Sequence, residues 1–145
     1  MRPIAFFALL ALAASGCVTT AAPPDAPTPR PTVEDRPPVS PLVGRWDMER
    51  VLDDGSDVTD QHDPNNDRFI VLFDDGTFES GGGPYGRNTG RWIYNTNTRR
   101  LGLDSDLGPE DDSIWTVTLR GDTMEWSGEG SAFARRFRIT SRRAR

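Results

Sequence analysis

The sequence feature that most constrains this chain is a hairpin-like pattern over residues 69–78, FIVLFDDGTF. An apolar run meets the pair Asp75-Gly76 and the alternation then resumes, which is a strong local signal for two antiparallel strands joined by a tight turn. A two-residue turn at this pair predicts that Phe73 faces Phe78 across the ribbon. The residues that this register places on one side, which must then be buried, are Phe69, Val71, Phe73 and Phe78.

Two later segments combine alternating apolar residues with turn residues in the same way. The first is predicted to turn at Asn97-Thr98 and the second at Gly121-Asp122. The predicted cross-strand pairs are Trp92 with Leu103, Tyr94 with Leu101, Val117 with Trp126, and Leu119 with Met124. Each hairpin therefore has one apolar face, which is the pattern of a strand with one buried side.

Eight short strands in succession, joined by short loops, predict an all-β fold. The first strand covers residues 42–50, with Leu42, Trp46 and Met48 on its apolar face, and the last covers residues 132–140. Closing the sheet removes its exposed edges, so we expect a small eight-stranded antiparallel up-and-down barrel over residues 42–145. An open sandwich is the alternative, because periodicity alone does not show that the last strand pairs with the first.

The N-terminal segment has the features of an export signal. Residues 1–16 carry an early positive charge, then a short apolar run and small residues, as signal peptides do. The small residues lead directly to Cys17, and this order resembles the lipobox of bacterial lipoproteins, whose cysteine is acylated, with palmitate for example, and becomes the mature N-terminus. Val18 stands where an aspartate often signals inner-membrane retention. The resemblance therefore implies a lipoprotein of the cell envelope, anchored to the outer membrane and facing the periplasm.

Residues 17–41 hold the predicted lipidated cysteine and a proline-rich linker. Prolines alternate there with alanine, threonine and a few charges, and no periodic apolar pattern is present. Such a segment is expected to be a disordered, extended and semi-rigid spacer between the membrane and the barrel domain.

The charge balance argues against a nucleic-acid partner. The chain has 17 basic and 22 acidic residues, a formal net charge of -5, and no basic stripe that could neutralise phosphates. Cys17 is the sole cysteine of the chain, so the sequence contains neither a disulfide framework nor a thiolate metal cluster.

Several motifs together point to a known family. Gly44-Arg45-Trp46 on the first strand resembles the Gly-x-Trp signature of the lipocalins. The further motifs, which are similar to those of small bacterial lipocalin-like domains, are Leu42-x-Gly44-x-Trp46, Phe73-x-Asp75-Gly76-Thr77-Phe78, Thr89-Gly90-x-Trp92 and Trp126. The resemblance implies a barrel for a small hydrophobic ligand, with Trp46 closing its lower end beneath an arginine of the last strand region. The candidates for this arginine are Arg138, Arg142 and Arg143, and we take Arg138 as the expected partner.

Two arginines lie on otherwise apolar strand faces. By strict alternation Arg50 and Arg135 point into the barrel, where an arginine without a counter-charge is costly. A guanidinium in this position is a candidate for binding the carboxylate of a fatty-acid-like ligand. A strand bulge would reverse the alternation, and an arginine near a barrel mouth could reach water instead. The aromatic residues expected to line the same site are Trp92, Tyr94, Trp115 and Trp126.

Catalysis and metal binding have little support in the sequence. His62 is the single histidine and lies in an acidic loop without a nucleophile motif around it. The aspartates of the two acidic loops lack the spacing of a calcium-binding loop and are typical of solvated turns. We therefore expect no enzyme activity, no cofactor and no metal site.

The aromatic content also favours a competing interpretation. An eight-stranded barrel is only just wide enough for its own side chains, and many bulky rings are assigned to its interior. A filled barrel would serve as a protein-interaction or structural module of the envelope without a small-molecule ligand. In either case we expect a monomer.

Overall fold

The computed structural model describes residues 39–145 as a closed antiparallel barrel. The predicted signal peptide, Cys17 and nearly all of the predicted linker lie outside the described residues. Among the described residues, none belongs to a helix of the length and apolar character needed to cross a membrane. The strand pairing and the core reported below lie within residues 42–145.

The barrel consists of eight strands in chain order, and a short extra strand, β2, extends one edge of β1. The strands are β1 (Gly44–Asp53), β2 (Ser56–Asp57), β3 (Phe69–Leu72), β4 (Thr77–Gly81), β5 (Asn88–Asn95), β6 (Arg100–Ser105), β7 (Ser113–Arg120), β8 (Thr123–Gly128) and β9 (Phe137–Arg143). The connections include a one-turn helix, α1 (Thr59–His62), and two 3-10 turns (Gly83–Tyr85 and Ala134–Arg136). Strand β9 returns to pair with β1, from Trp46 opposite Arg143 to Asp53 opposite Phe137. The predicted eight-stranded up-and-down barrel is confirmed, and the open sandwich is wrong.

Two of the three predicted hairpins have the expected register. Strands β5 and β6 pair Trp92 with Leu103, and strands β7 and β8 pair Val117 with Trp126. In each hairpin the apolar side faces the core, because the side-chain period of a strand brings every second residue to the same face. These two ribbons make up half of the barrel wall.

The hairpin of β3 and β4 is shifted by one residue from the prediction. Leu72, not Phe73, lies opposite Phe78, because the connection is a three-residue loop. The amide of Gly76 donates to the carbonyl of Phe73, and Gly76 has φ +83°, as expected for a type I turn followed by a bulge. A shift of one residue exchanges the two faces of a strand. Phe73 is consequently 41% exposed, and the inward side of β3 carries Ile70 and Leu72.

The core is apolar and rich in aromatic rings. Its fully buried members include Leu42, Trp46, Leu72, Leu101, Val117 and Met124. The inward alternation of the strands brings these side chains together in the lower half of the barrel. This half contains the start of β1, the end of β9 and the tight β3–β4, β5–β6 and β7–β8 turns. This half is filled, as the aromatic content predicts for a narrow barrel.

The lower end of the barrel is closed by Trp46. Its indole N–H donates to the carbonyl of Leu42 at 2.8 Å, and the guanidinium of Arg143 lies over its ring, 4.2 Å from the ring centroid. Arg143 also donates to the carbonyls of Pro41 and Val43, both at 2.7 Å. One arginine thus ties the entering chain, the first strand and the last strand together.

The prediction that Arg138 covers Trp46 is wrong. Arg138 lies near the opposite end of β9, opposite Leu52 of β1, and its side chain is exposed. Its guanidinium donates to the carbonyls of Arg135 and Phe137, both at 2.9 Å. The sequence left three arginines open because the register of β9 against β1 decides which of them reaches Trp46.

These two arginines form a matched pair for a stability test. We expect Arg143→Gln to lower the free energy of unfolding by about 2 kcal/mol, because two charge-assisted hydrogen bonds and the contact with Trp46 are lost together. Arg138→Gln also removes two hydrogen bonds to backbone carbonyls, but from an exposed site, and should cost less than about 0.5 kcal/mol. Urea unfolding followed by tryptophan fluorescence measures both changes, and equal losses would contradict this account of the closed end.

Candidate ligand-binding cavity

The upper half of the barrel encloses a cavity of about 290 Å³. It lies at the end that carries the four longer loops, which follow β1, β4, β6 and β8. Its apolar wall includes Ile70, Phe78, Leu103, Trp115, Trp126 and Ile139. Trp46 and Met48 also line it from β1, so the residue that closes the lower end also contributes to the bottom of the cavity.

The mouth is shaped by the loop between β2 and β3. Asp63 is buried, and its Oδ1 accepts the backbone N–H groups of Asp67 and Arg68 at 2.9 and 3.2 Å. The side chain of Asp67 in turn accepts the amide of Gly83 at 2.6 Å, which joins this loop to the loop between β4 and β5. A Cβ on Gly82, which has φ +82°, would lie 2.2 Å from the carbonyl oxygen of Asp67. The two loops therefore pack too closely for any residue but glycine at this position.

Arg68 is the cation that this loop places at the cavity. Its side chain is half-buried, lines the cavity, and lies over the ring of Tyr85 with the guanidinium carbon 4.5 Å from the ring centroid. Burial lowers the pKa of Arg68, while Tyr85 and Asp63 act in the opposite direction. Among the described residues, no carboxylate oxygen lies within 4.0 Å of its guanidinium nitrogens.

Next to Arg68, His62 and Tyr85 form a contact between the two loops of the mouth. The Tyr85 hydroxyl and His62 Nδ1 are hydrogen-bonded at 2.8 Å, and the two rings are stacked. The His62 ring also packs edge-on against Phe137 at the start of β9. Burial and then the positive charge of Arg68 lower the pKa of His62, and the negative charge of Asp53 opposes them.

The four indole N–H groups of the barrel are not equally satisfied. Trp46 donates to Leu42, Trp92 donates to the carbonyl of Phe73 at 2.9 Å, and Trp115 donates to the hydroxyl of Ser113 at 3.0 Å. Trp126 is 5% exposed, and its Nε1 is buried without a hydrogen-bond partner among the described residues. Trp126, a residue of the cavity wall, therefore has a buried donor for which the described residues supply no acceptor.

Most of the remaining polar groups of the cavity lie towards the mouth, whereas Ser141, which is paired with Met124, lies deeper. Ser80, Asn88, Ser113, Ser141 and Asp111 line it together with the apolar wall. The Asn88 Oδ1 accepts the hydroxyl of Ser105 at 2.9 Å, so that part of the wall is fixed by contacts within the barrel. The cavity thus has an apolar interior and a polar rim, which is the usual composition of a small-molecule site.

Of the predicted ligand-binding aromatic residues, Trp115 and Trp126 line the cavity, whereas Trp92 and Tyr94 do not. Trp92 and Tyr94 belong to the lower core, where Trp92 is nearly fully buried. Sequence reasoning missed Arg68. The observed β3–β4 register places Ile70 and Leu72 on the inward face of β3. Residue 68 continues the same alternation, and this is the signal that could have identified Arg68.

The two arginines predicted to point inward do not reach the cavity. A register shift in β1 between Met48 and Arg50 reverses the alternation, so Val51 is buried and Arg50 is exposed, with its Nε 2.9 Å from an oxygen of Asp57. Arg135 precedes β9, in the 3-10 turn, and its exposed guanidinium donates to the carbonyl of Gly130 at 2.8 Å. Both expectations are wrong because strict alternation does not hold at a bulge or outside a strand.

Within residues 39–145, no set of three or more histidine, cysteine, aspartate or glutamate residues is arranged to hold a metal ion. The arrangement can hold an apolar molecule against the wall and offer it the cation of Arg68 at the mouth.

The lowered pKa of His62 has a consequence for stability. A histidine pKa below its ordinary 6.5 in the folded state means that the neutral ring stabilises the fold above pH 6.5, and that this contribution is lost as the pH falls through the folded pKa. When the pH is lowered from about 7.5 to about 5.5, the melting temperature of the wild type should fall further than that of His62→Gln, because glutamine does not titrate in this range. Calorimetric scans at both pH values measure the difference, and parallel losses in the two proteins would contradict it.

Comparison with known proteins finds a likeness to a solved structure. No family model matches the chain, and no curated protein matches it. Among solved structures, the barrel is similar to a DUF4847 family protein from Bacteroides vulgatus ATCC 8482, with a TM-score of 0.52 and 13% sequence identity. The match covers 70% of this chain and 92% of the other. At this identity the likeness concerns the fold alone, so the chain has the barrel fold of the DUF4847 protein.

Proposed function

We propose that the protein is a lipid-anchored, lipocalin-like protein of the bacterial cell envelope that binds a small, mostly apolar ligand inside its barrel. The observation that carries the proposal is the cavity in the upper half, whose aromatic wall includes the unpartnered buried N–H of Trp126. The proposed role is binding rather than catalysis, by a monomer.

The size of the cavity limits the ligand. Ligand cavities in proteins usually measure about 300–1,000 Å³, and a cavity of about 290 Å³ is at the lower end of this range. The lower half of the barrel is occupied by core side chains, from Leu72 to Met124, so a ligand cannot extend to the closed end. A compact ring or a medium-length alkyl chain fits these limits, whereas a full-length membrane lipid would extend beyond the mouth.

The unpartnered indole of Trp126 favours an added hydrogen-bond acceptor. A buried donor left without a partner costs about 1–3 kcal/mol, and the other three indoles of the barrel have acceptors. The acceptor that the proposal assigns to Trp126 is a water molecule that enters beside the ligand. The ring of Trp115 packs edge-on against Trp126, with the ring centroids 6.0 Å apart. Both rings line the cavity, so their fluorescence should report the binding of a ligand.

The anchoring part of the proposal depends on Cys17 and the linker. The resemblance of residues 14–17 to a lipobox supports lipidation at Cys17. Residues 18–41, which are 24 residues, would span up to about 70 Å if they were extended like polyproline. The barrel would then reach well beyond the lipid headgroups of the outer membrane into the periplasm, where it can collect a ligand away from the surface.

A cavity-filling substitution tests the binding site. In the chain from Val18 onward, we expect octan-1-ol to quench tryptophan fluorescence saturably, and Ser80→Leu to weaken its affinity at least about tenfold by occupying the cavity. Ser127→Leu adds the same atoms on an outward-facing position of β8 and should leave the affinity unchanged. Absence of saturable binding to the wild type, or equal affinities for the wild type and Ser80→Leu, would contradict the proposal.

A second test concerns the anchor. We expect the wild-type protein to sediment with membranes and to enter the detergent phase of a Triton X-114 extraction, because acyl chains at Cys17 provide the membrane affinity. Cys17→Ser should leave the detergent phase, and Thr19→Ser, two residues away, should behave like the wild type. Recovery of Cys17→Ser in the detergent phase would count against lipidation at this residue.

One observation favours the alternative of an interaction module. Three large apolar side chains on different loops of the mouth are exposed: Tyr85 by 56%, Leu107 by 59% and Phe133 by 66%. Exposed apolar residues around one rim are typical of a surface that contacts another protein. Photo-crosslinking from position 107 in intact cells distinguishes this candidate, because it requires a defined protein adduct and ligand binding does not.

A further inference from the structure

Arg68 stands out among the arginines of the described region. Elsewhere the described arginines that meet carboxylates do so on the outer surface, as Arg142 does with Glu49 and Arg50 with Asp57. Arg68 lines the cavity instead, and its side chain is half-buried. It forms no ion pair with a carboxylate of the described residues.

The surroundings compensate the charge of Arg68 only in part. The face of Tyr85 provides a cation–π contact, worth about 0.5–2 kcal/mol. The nearby carboxylate of Asp63 directs its Oδ1 at two backbone amides of its own loop, which fixes the position of Arg68 but leaves the guanidinium without a direct partner. A partly desolvated cation held in this way retains most of its capacity to bind an anion.

We propose that the ligand is an amphipathic carboxylate, whose head group pairs with Arg68 at the mouth while its apolar part enters the barrel towards Trp126. This inference rests on the proposed function and specifies its ligand class. Arg68 determines specificity, and the apolar wall supplies most of the contact area.

The geometry favours a carboxylate over a more highly charged head group. A single guanidinium offers one planar fork, which matches the two oxygens of one carboxylate. Asp111 is also a lining residue, and its negative charge disfavours a dianionic phosphate more than it disfavours a monoanion. A monoanion can approach from the side of Arg68.

The test compares two probes that differ in the head group alone, octanoate and octan-1-ol. In the chain from Val18 onward, we expect Arg68→Gln to weaken octanoate binding by about ten- to a hundredfold, the loss of one charge-assisted pair. Octan-1-ol should bind this variant within about threefold of its wild-type affinity, which also shows that the cavity is folded. The wild-type affinity for octanoate should fall with added salt, and the affinity for the alcohol should not.

Arg135→Gln is the matched control, because it removes an exposed arginine from a loop at the same end of the barrel. It should leave the ratio of the two affinities unchanged. Arg68→Lys keeps the charge without the fork and should restore part of the octanoate affinity. If Arg68→Gln binds both probes with the wild-type ratio of octanoate to octan-1-ol affinity, the inference is wrong and the proposed function stands. If neither probe binds the wild type, the proposed function is wrong.

Discussion

The structure depends on the pairing of its last strand with its first. Strands β9 and β1 join from Trp46 opposite Arg143 to Asp53 opposite Phe137, and this ladder converts a meander with two free edges into a barrel with an interior. The contact of Arg143 with Trp46 lies at the end of the same ladder and closes the lower mouth. Because the lower half is filled with core side chains, the space that remains is accessible through the upper loops.

The fold was predictable because turn residues and strand alternation are visible within short stretches of sequence. The site was not predictable, because it depends on the exact register of the strands. Turn residues and alternation identified the number and order of the barrel strands and two registers correctly, but the last strand begins at Phe137 and not at residue 132. The β3–β4 hairpin has a three-residue turn with a bulge at Gly76, and the sequence does not distinguish this turn from a two-residue one. The resulting error of one residue in the register predicted Leu72 on the outside and hid the inward position of Arg68. A bulge in β1 and a 3-10 turn before β9 moved Arg50 and Arg135 outward in the same way. An error of one residue in the alternation of a strand has little effect on the predicted fold class, but it decides which charged side chain points into the cavity.

An amphipathic carboxylate explains the unpaired cation of Arg68 at the mouth of an otherwise apolar cavity. Trp126 contributes a buried donor without an acceptor and Arg68 contributes a half-buried cation without an ion-pair partner, while the wall between them is mainly apolar. Each feature alone destabilises the empty fold, since a buried donor or cation is costly when it is not satisfied. The barrel is otherwise well packed, so the unpaired donor of Trp126 and the unpaired cation of Arg68 are exceptions. Binding sites typically contain such groups, because they sacrifice local stability for function. The loop that holds Arg68 is itself fixed by Asp63, so the cation is positioned before any ligand arrives.

The most direct test of this account is a crystal structure of the chain from Val18 onward with an ω-bromo derivative of octanoate. The account predicts an anomalous bromine peak inside the upper half of the barrel, close to Trp126, with the carboxylate on the guanidinium of Arg68. Bromine on the outer surface, or a molecule bound with its carboxylate deep in the barrel and its bromine at the mouth, would contradict it.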